Sequence, residues 1–322
     1  MKTSTDLLPA ASTISDVERD TGVAKETLRV WERRYDFPQP LRDSHGERSY
    51  PAEQVQKLRL VKRLIDLGFR PGKVIGFGTD QLQAMAEANA NEAQRTRADA
   101  APELLAYLDL CRTHQMDALR RKLSQALLVM GVKSFVIDLV TPLIEEVGTA
   151  WACGRLAVFE EHLFAESLQM VMRTAIFSVP QTHSQHTSAP RPRMLLTTLP
   201  QERHGLGLLM AEALFAAEGA HTISLGVQTP VPDIVDAARS LGADIVALSL
   251  SGAMSRRQAF DGLKELRARL PPSVELWAGG NCAALYRQPP PYVTVHGLRE
   301  IASAIAGWRV HAAEGAAVLA TD

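Results

Sequence analysis

The spacing of apolar and polar positions changes character along the chain. From about residue 12 to 80, and again from about 101 to 178, apolar residues recur three and four apart, which predicts amphipathic helices. From about 193 to 310 the pattern differs. Short apolar runs ("RMLLTTLP", "HTISLGVQTP", "ADIVALSLSG", "VELWAGG", "YVTVHG") alternate there with helical stretches such as "LLMAEALFAAEG" and "SRRQAFDGLKELRARL". Such alternation with short loops predicts a doubly wound parallel sheet, which binds ligands at the carboxyl ends of its strands. Two stretches rich in Pro, Ser, Asn and Ala, residues 87–102 and 179–193, disfavour regular structure. The predicted division is a helix-turn-helix domain at 12–80, a linker at 81–100, a four-helix bundle at 101–178, a linker at 179–192 and a Rossmann-like α/β domain at 193–310. The fold class is therefore multi-domain, with two helical parts and one α/β part. No short-period repeat is present.

In the first block a short helix over residues 15–20 is followed by Thr21-Gly22-Val23 and a second helix over 25–34. The glycine permits the tight turn of a helix-turn-helix. On the second helix Lys25, Thr27, Arg29 and Arg33 are polar, while Leu28, Val30 and Trp31 suit packing. Arg42 and Arg48 then flank Asp43-Ser44-His45-Gly46, which reads as the turn of a small hairpin, a wing. Arg and Tyr on such a hairpin suit phosphate contacts. A plain helical domain with solvated arginines fits the same pattern. The wording goes further, because "TGVAKETLRVWERRY", "GERSYP" and "VQKLRLVKRLIDLGF" resemble the DNA-binding domain of the MerR family over about 65 residues. That resemblance implies a winged helix-turn-helix, a homo-oligomer (dimer or tetramer) and double-stranded DNA as partner. It assigns base contacts to Lys25, Thr27 and Arg29, and phosphate contacts to Arg33, Arg42, Arg48 and Tyr50. Metal-sensing members end in a long coiled-coil helix with cysteine ligands, and this chain has neither.

The third block carries "QERHGLG" between its first strand and helix. His204 there reads as a turn residue, a general base or a ligand. Glu202 is placed to hydrogen-bond its ring, a partnership that fixes the tautomer of a metal-ligating His. Gly207 lets a bulky flat ligand approach. Glu202-x-His204-x-x-Gly207 resembles the Glu/Asp-x-His-x-x-Gly signature of the cobalamin-binding domains found in methionine synthase, mutases and corrinoid proteins. The resemblance makes His204 the lower axial cobalt ligand, puts Ser249 against the displaced nucleotide tail, and matches Gly279 and Gly280 to a later Gly-Gly. Ser251 stands where the family has Leu.

The second block offers four amphipathic stretches suited to a bundle, interrupted at Gly131 and around 151–156. Val158, Glu161 and His162 fall on one face at the start of the last helix. Taken singly, a Trp in a bundle is core and Glu-His at a helix start is a solvated cap. Together, Trp151, nine residues and Glu161-His162 resemble the Trp-x9-Glu-His motif of the CarH/LitR family of light-responsive repressors, which use adenosylcobalamin (a form of vitamin B12). By that resemblance Trp151 and Val158 pack against the upper face of the cofactor, and Glu161 and His162 hydrogen-bond the adenosyl group or shield the cobalt. Members commonly have His directly after the motif Trp, where this chain has Ala152. Trapping of cobalt by a second His is thus not expected in its usual form, leaving Cys153, His162 or solvent.

Composition bounds these readings. The 322 residues carry 35 Lys+Arg against 36 Asp+Glu, so attraction to nucleic acid has to be local. Residues 1–80 hold 14 Lys+Arg and 12 Asp+Glu, a net of +2. Cys111, Cys153 and Cys282 form no CxxC and no zinc spacing, which fits a reducing cytoplasm. No apolar run of about 18 residues is apparent and the first residues lack a secretory core, so no membrane association is expected. The expectation is a cytoplasmic, non-enzymatic regulator. A corrinoid-enzyme subunit would need a substrate domain, typically a barrel, which no block supplies. A regulator sensing another tetrapyrrole or a partner protein is the other alternative.

Overall fold

The computed structural model describes residues 12–42, 46–66, 69–95, 101–152, 154–179 and 192–319. The chain divides into two compact units, Met1–Gln115 with Leu143–Leu163, and Met116–Pro142 with Phe164–Asp322.

In the first unit, strand β1 (Ser12–Thr13) leads into helix α1 (Ile14–Thr21). Thr13 accepts from the Asp16 N–H at 3.2 Å while the Asp16 carboxylate accepts from the Thr13 N–H at 3.2 Å, a reciprocal cap that satisfies two end donors. Gly22, at φ 70°, ends α1 in the left-handed region that glycine adopts without strain. Helix α2 (Lys25–Tyr35) buries Leu28 and Trp31. Strands β2 (Leu41–Arg42) and β3 (Arg48–Tyr50) pair antiparallel with Leu41 opposite Ser49, and β3 also pairs β1, so the wing is a three-stranded sheet. The turn residues 43–45 lie outside the described residues. Helices α3 (Ala52–Asp66) and α4 (Pro71–Val74) follow, and α5 (Thr79–Arg95) packs along α3. Val17, Leu28, Trp31, Tyr50, Leu58 and Leu82 share one core.

Helix α5 corrects the expectation that residues 87–102 disfavour regular structure. Between 87 and 101 there is no Pro or Gly, and Ala, Glu and Gln are strong helix formers, so α5 continues to Arg95. Pro102 does not prevent helix α6 (Ala101–Arg112), because it falls in the first turn, where no intrahelical N–H bond is lost.

Helix α7 (Met116–Ser134) bends at Gly131, whose φ is 72°, and continues through a π-helical segment, Phe135–Val140, into α8 (Thr141–Ala152); α9 (Val158–Ser178) follows. The helical run Met116–Trp151, 36 residues, contains an 18-residue window of mean hydropathy 1.9, so the expectation that no stretch reaches spanning length is corrected. That run carries Lys133 and Asp138, is kinked at Gly131, and has 28% of the apolar window buried, with Leu128 and Val129 exposed. Residues 180–191, most of the second proposed linker, lie outside the described residues.

The second unit contains a five-stranded, wholly parallel sheet. In chain order come β4 (Arg193–Thr197), α10 (Leu206–Ala217), β5 (His221–Gly226), α11 (Val231–Ser240), β6 (Ile245–Ser249), α12 (Arg256–Arg269), β7 (Glu275–Gly279), α13 (Ala283–Arg287), β8 (Thr294–Val295) and α14 (Ile301–Leu319). Strand order is β5-β4-β6-β7-β8. β4 and β6 are buried almost throughout, as strands covered on both faces are: α10 packs with α14, and α11 with α12. The chain reverses its direction of winding at β4. The β4/β6 boundary is therefore the topological switch point, where the loops after two neighbouring strands part and leave a crevice.

Candidate functional site

The loops after β4 and β6 meet at that switch point. Glu202 is only 1% exposed. Its Oε1 accepts from the His204 Nδ1 at 2.6 Å and from the His204 backbone N–H at 2.9 Å, and its Oε2 accepts from the Ser251 N–H at 2.8 Å. The Ser251 hydroxyl oxygen lies 3.1 Å from the same Nδ1. Thr198 Oγ1 donates to the Glu202 carbonyl at 2.8 Å and fixes the turn from behind. Burial alone would push the Glu202 carboxyl up, but hydrogen bonds from His204 and Ser251 outweigh it and hold the pKa at about 2. The ionised carboxylate makes Nδ1 the protonated nitrogen, so the lone pair of the imidazole is on Nε2, carried by a side chain 61% exposed.

Among the described residues no group of three or more His, Cys, Asp or Glu could hold a metal ion. His204 thus offers one nitrogen, a donor set suited to a metal whose other ligands arrive with it, as in a corrin. The glycines around it are sterically required. A Cβ on Gly207 would lie 2.9 Å from the buried Ser249 Oγ, and one on Gly279 would lie 2.6 Å from the His296 carbonyl oxygen. Gly280, at φ 103°, presses on the Leu250 backbone. Gly279 therefore allows the end of β7 to approach the chain after β8 and Gly280 the chain after β6, while Gly207 keeps the α10 entry flat beside Ser249. Ser251, a departure from the family's Leu, is the residue that reaches His204.

The second sequence motif lies in the first unit. Trp151 ends α8 half-buried, with an indole N–H that is buried and has no partner among the described residues. The Arg59 guanidinium stands 5.9 Å from its ring centroid. At the start of α9 Val158 is half-buried, and Glu161 Oε2 pairs with His162 Nδ1 at 2.7 Å. Glu160 caps the same helix by accepting from the Ala157 N–H at 2.7 Å, and holds His114 Nε2 at 3.0 Å. Cys153 lies outside the described residues.

On the helix-turn-helix, Arg29 and Arg33 are exposed on α2. Lys25 and Thr27 are half-buried, Lys25 being 3.6 Å from Glu18. Arg42 is exposed on the wing and donates to the Gly46 carbonyl at 2.7 Å. Arg48 is engaged by Glu32 of α2 at 3.0 and 3.4 Å, a bidentate pair that ties wing to helix and raises the guanidinium's pKa. Tyr50 is 0% exposed and its hydroxyl has no partner, so its ring is a core element. The expectation of a surface phosphate contact there is corrected, because burial leaves the ring no face for DNA. Val30 was expected to pack, and it faces solvent. Glu26 shares that exposed face and was missed, because a carboxylate on a DNA-reading helix carries no charge signal for DNA.

Comparison with known proteins matches all three parts of the chain to families. The MerR HTH family regulatory protein family matches residues 12–77, and two B12 binding domain families match residues 104–176 and 192–309. Together they define a cobalamin-binding transcriptional regulator with a MerR-type DNA-binding head. The HTH-type transcriptional repressor CarH of Myxococcus xanthus is 28% identical over 279 residues, covering 85% of this chain and 90% of that protein. The repressor CarA of the same organism is 30% identical over 261 residues, covering 80% and 83%. The chain belongs to this CarH/CarA family. A monomethylamine corrinoid protein of Methanosarcina barkeri superposes with a TM-score of 0.49 at 14% identity, over 64% of this chain and 98% of that one.

Proposed function

We propose that the protein is a light-responsive, adenosylcobalamin-dependent repressor that binds an operator as a dimer or tetramer and releases it on illumination. When bound, the cofactor supplies a cobalt–carbon bond that visible light breaks. The chain's own residues do the rest. His204 would hold the cobalt through Nε2, with Glu202 and Ser251 fixing its ring and tautomer, and Gly207 with Ser249 would receive the nucleotide tail. By the family resemblance Trp151, Val158, Glu161 and His162 face the adenosyl group. Arg29, Arg33 and Arg42 serve the DNA contact, with Lys25 and Thr27 flanking it. The action is a population shift: the assembled, DNA-binding state is favoured only while the ligand binds it better than the dissociated one. The same reading divides the chain into a head, a helical cap and an α/β cofactor domain, working in the cytoplasm without catalysing a reaction.

The observation that carries the proposal is the Glu202–His204–Ser251 cluster at the β4/β6 switch point. Purified in the dark with adenosylcobalamin, the chain is expected to show a corrin spectrum, and green light is expected to change both that spectrum and the particle mass. His204→Ala is expected to lose most bound cofactor. A chain that takes up no corrinoid would sink the proposal, and retained cofactor with unchanged mass would remove the light-driven disassembly.

A further inference from the structure

The inward stripe of α2 is Leu28 and Trp31, both buried, with half-buried Tyr35 beyond. At 3.6 residues per turn the opposite side is Glu26, Arg29, Val30 and Arg33, and all four are exposed. Val30, 43% exposed, is the apolar member of a face otherwise made of charges. A single exposed Val on an ordinary surface needs no explanation. This one stands on the second helix of the helix-turn-helix, the helix that such motifs lay in the major groove, where the thymine C5-methyl is the apolar group among hydrogen-bonding base edges.

We propose that Val30 is a base-reading residue that packs its methyl groups against the methyl of a thymine in the operator. Arg29 and Arg33 beside it have no ion-pair partner among the described residues, so their charge is left for phosphates and guanine. Glu26 on the same face points to bases and not to backbone, since a carboxylate accepts from the cytosine amino group and is repelled by phosphate. The half-buried Lys25 and Thr27 flank this face and do not centre it. The proposal rests on DNA binding by the head.

The full chain, with adenosylcobalamin in the dark and without it, is used to select duplexes from a random library. In the form that enriches, each thymine of the selected site is replaced in turn by deoxyuridine, which removes the methyl group alone. At one thymine per half-site the wild type is expected to bind about fourfold more weakly, the worth of one buried methyl group. Val30→Ser and Val30→Asn, which carry no methyl group at this surface position, are expected to bind the thymine site more weakly and to be indifferent to the replacement. Replacements that cost wild type and both variants equally, or cost nothing anywhere, would overturn the role of Val30 with DNA binding intact. A wild type that enriches no duplex in either form would overturn DNA binding itself, and this proposal with it.

Discussion

Glu202, itself buried, holds three donors on two oxygens: the backbone N–H and Nδ1 of His204, the proposed cofactor ligand, and the Ser251 N–H. Glu202→Gln keeps the volume and removes one acceptor, turning an amide N–H toward a donor. An orienting partner of a ligating His is worth 10- to 100-fold in ligand affinity, so Glu202→Gln is expected to bind cobalamin about 10-fold or more weakly with its far-ultraviolet circular dichroism unchanged. Glu202→Asp, which preserves the carboxylate, is expected to retain most of the affinity. Equal binding by all three in a spectroscopic titration would mean that the carboxylate does not position His204. The Glu202–His204 pair was legible in the sequence because it is local, two residues apart on one turn. Ser251 was not legible as its third member. It is 47 residues from His204, and only the adjacency of β4 and β6 brings it there.

At the scale of elements, α1, α3 and α8 meet on the side chains of α3. Arg59 donates to Asp20 of α1 at 2.6 and 3.2 Å, both side chains about four-fifths buried, and its guanidinium stands over the Trp151 ring of α8. One turn on, Arg63 donates to the buried Thr149 hydroxyl at 2.5 Å. The residue by which the family resemblance covers the cofactor is thus in contact with the third helix of the DNA-binding head. Arg59→Met leaves the largely buried Asp20 side chain without its partner, at a cost of about 2 kcal/mol. Urea unfolding followed by tryptophan fluorescence is expected to show that loss, and Asp20→Asn in the Arg59→Met background is expected to recover part of it. A midpoint within error of wild type would mean the clasp contributes nothing. The elements themselves were readable wherever a single period ran unbroken, as in the five strands and their helices. Two misreadings have one cause, that composition was read in place of helix phase. Asn and Ala in α5 resembled a linker until α3 gave the helix a surface to pack on. Val30 looked like core beside Leu28 and Trp31, yet the phase those two set turns it outward.

For the molecule as a whole, His204 and the exposed face of α2 lie on different units of one chain, so the proposed regulation would be a coupling free energy between separate sites. Such coupling is reciprocal: if the cofactor raises affinity for the operator by some factor, the operator raises affinity for the cofactor by the same factor, typically about 5- to 150-fold. The charge balance favours this route over bulk attraction. The head is +2 over residues 1–80 within a chain of net −1, so the remainder adds no electrostatic hold on DNA of its own. Titrating adenosylcobalamin in the dark with and without selected operator, and operator with and without adenosylcobalamin, is expected to give equal factors well above one. After green light both factors are expected to fall toward one together, because the ligand that distinguishes the two states has been changed. Factors of one in the dark would mean that cofactor and DNA bind independently, and the chain would then hold a cobalamin site and a DNA-binding head with no switch between them.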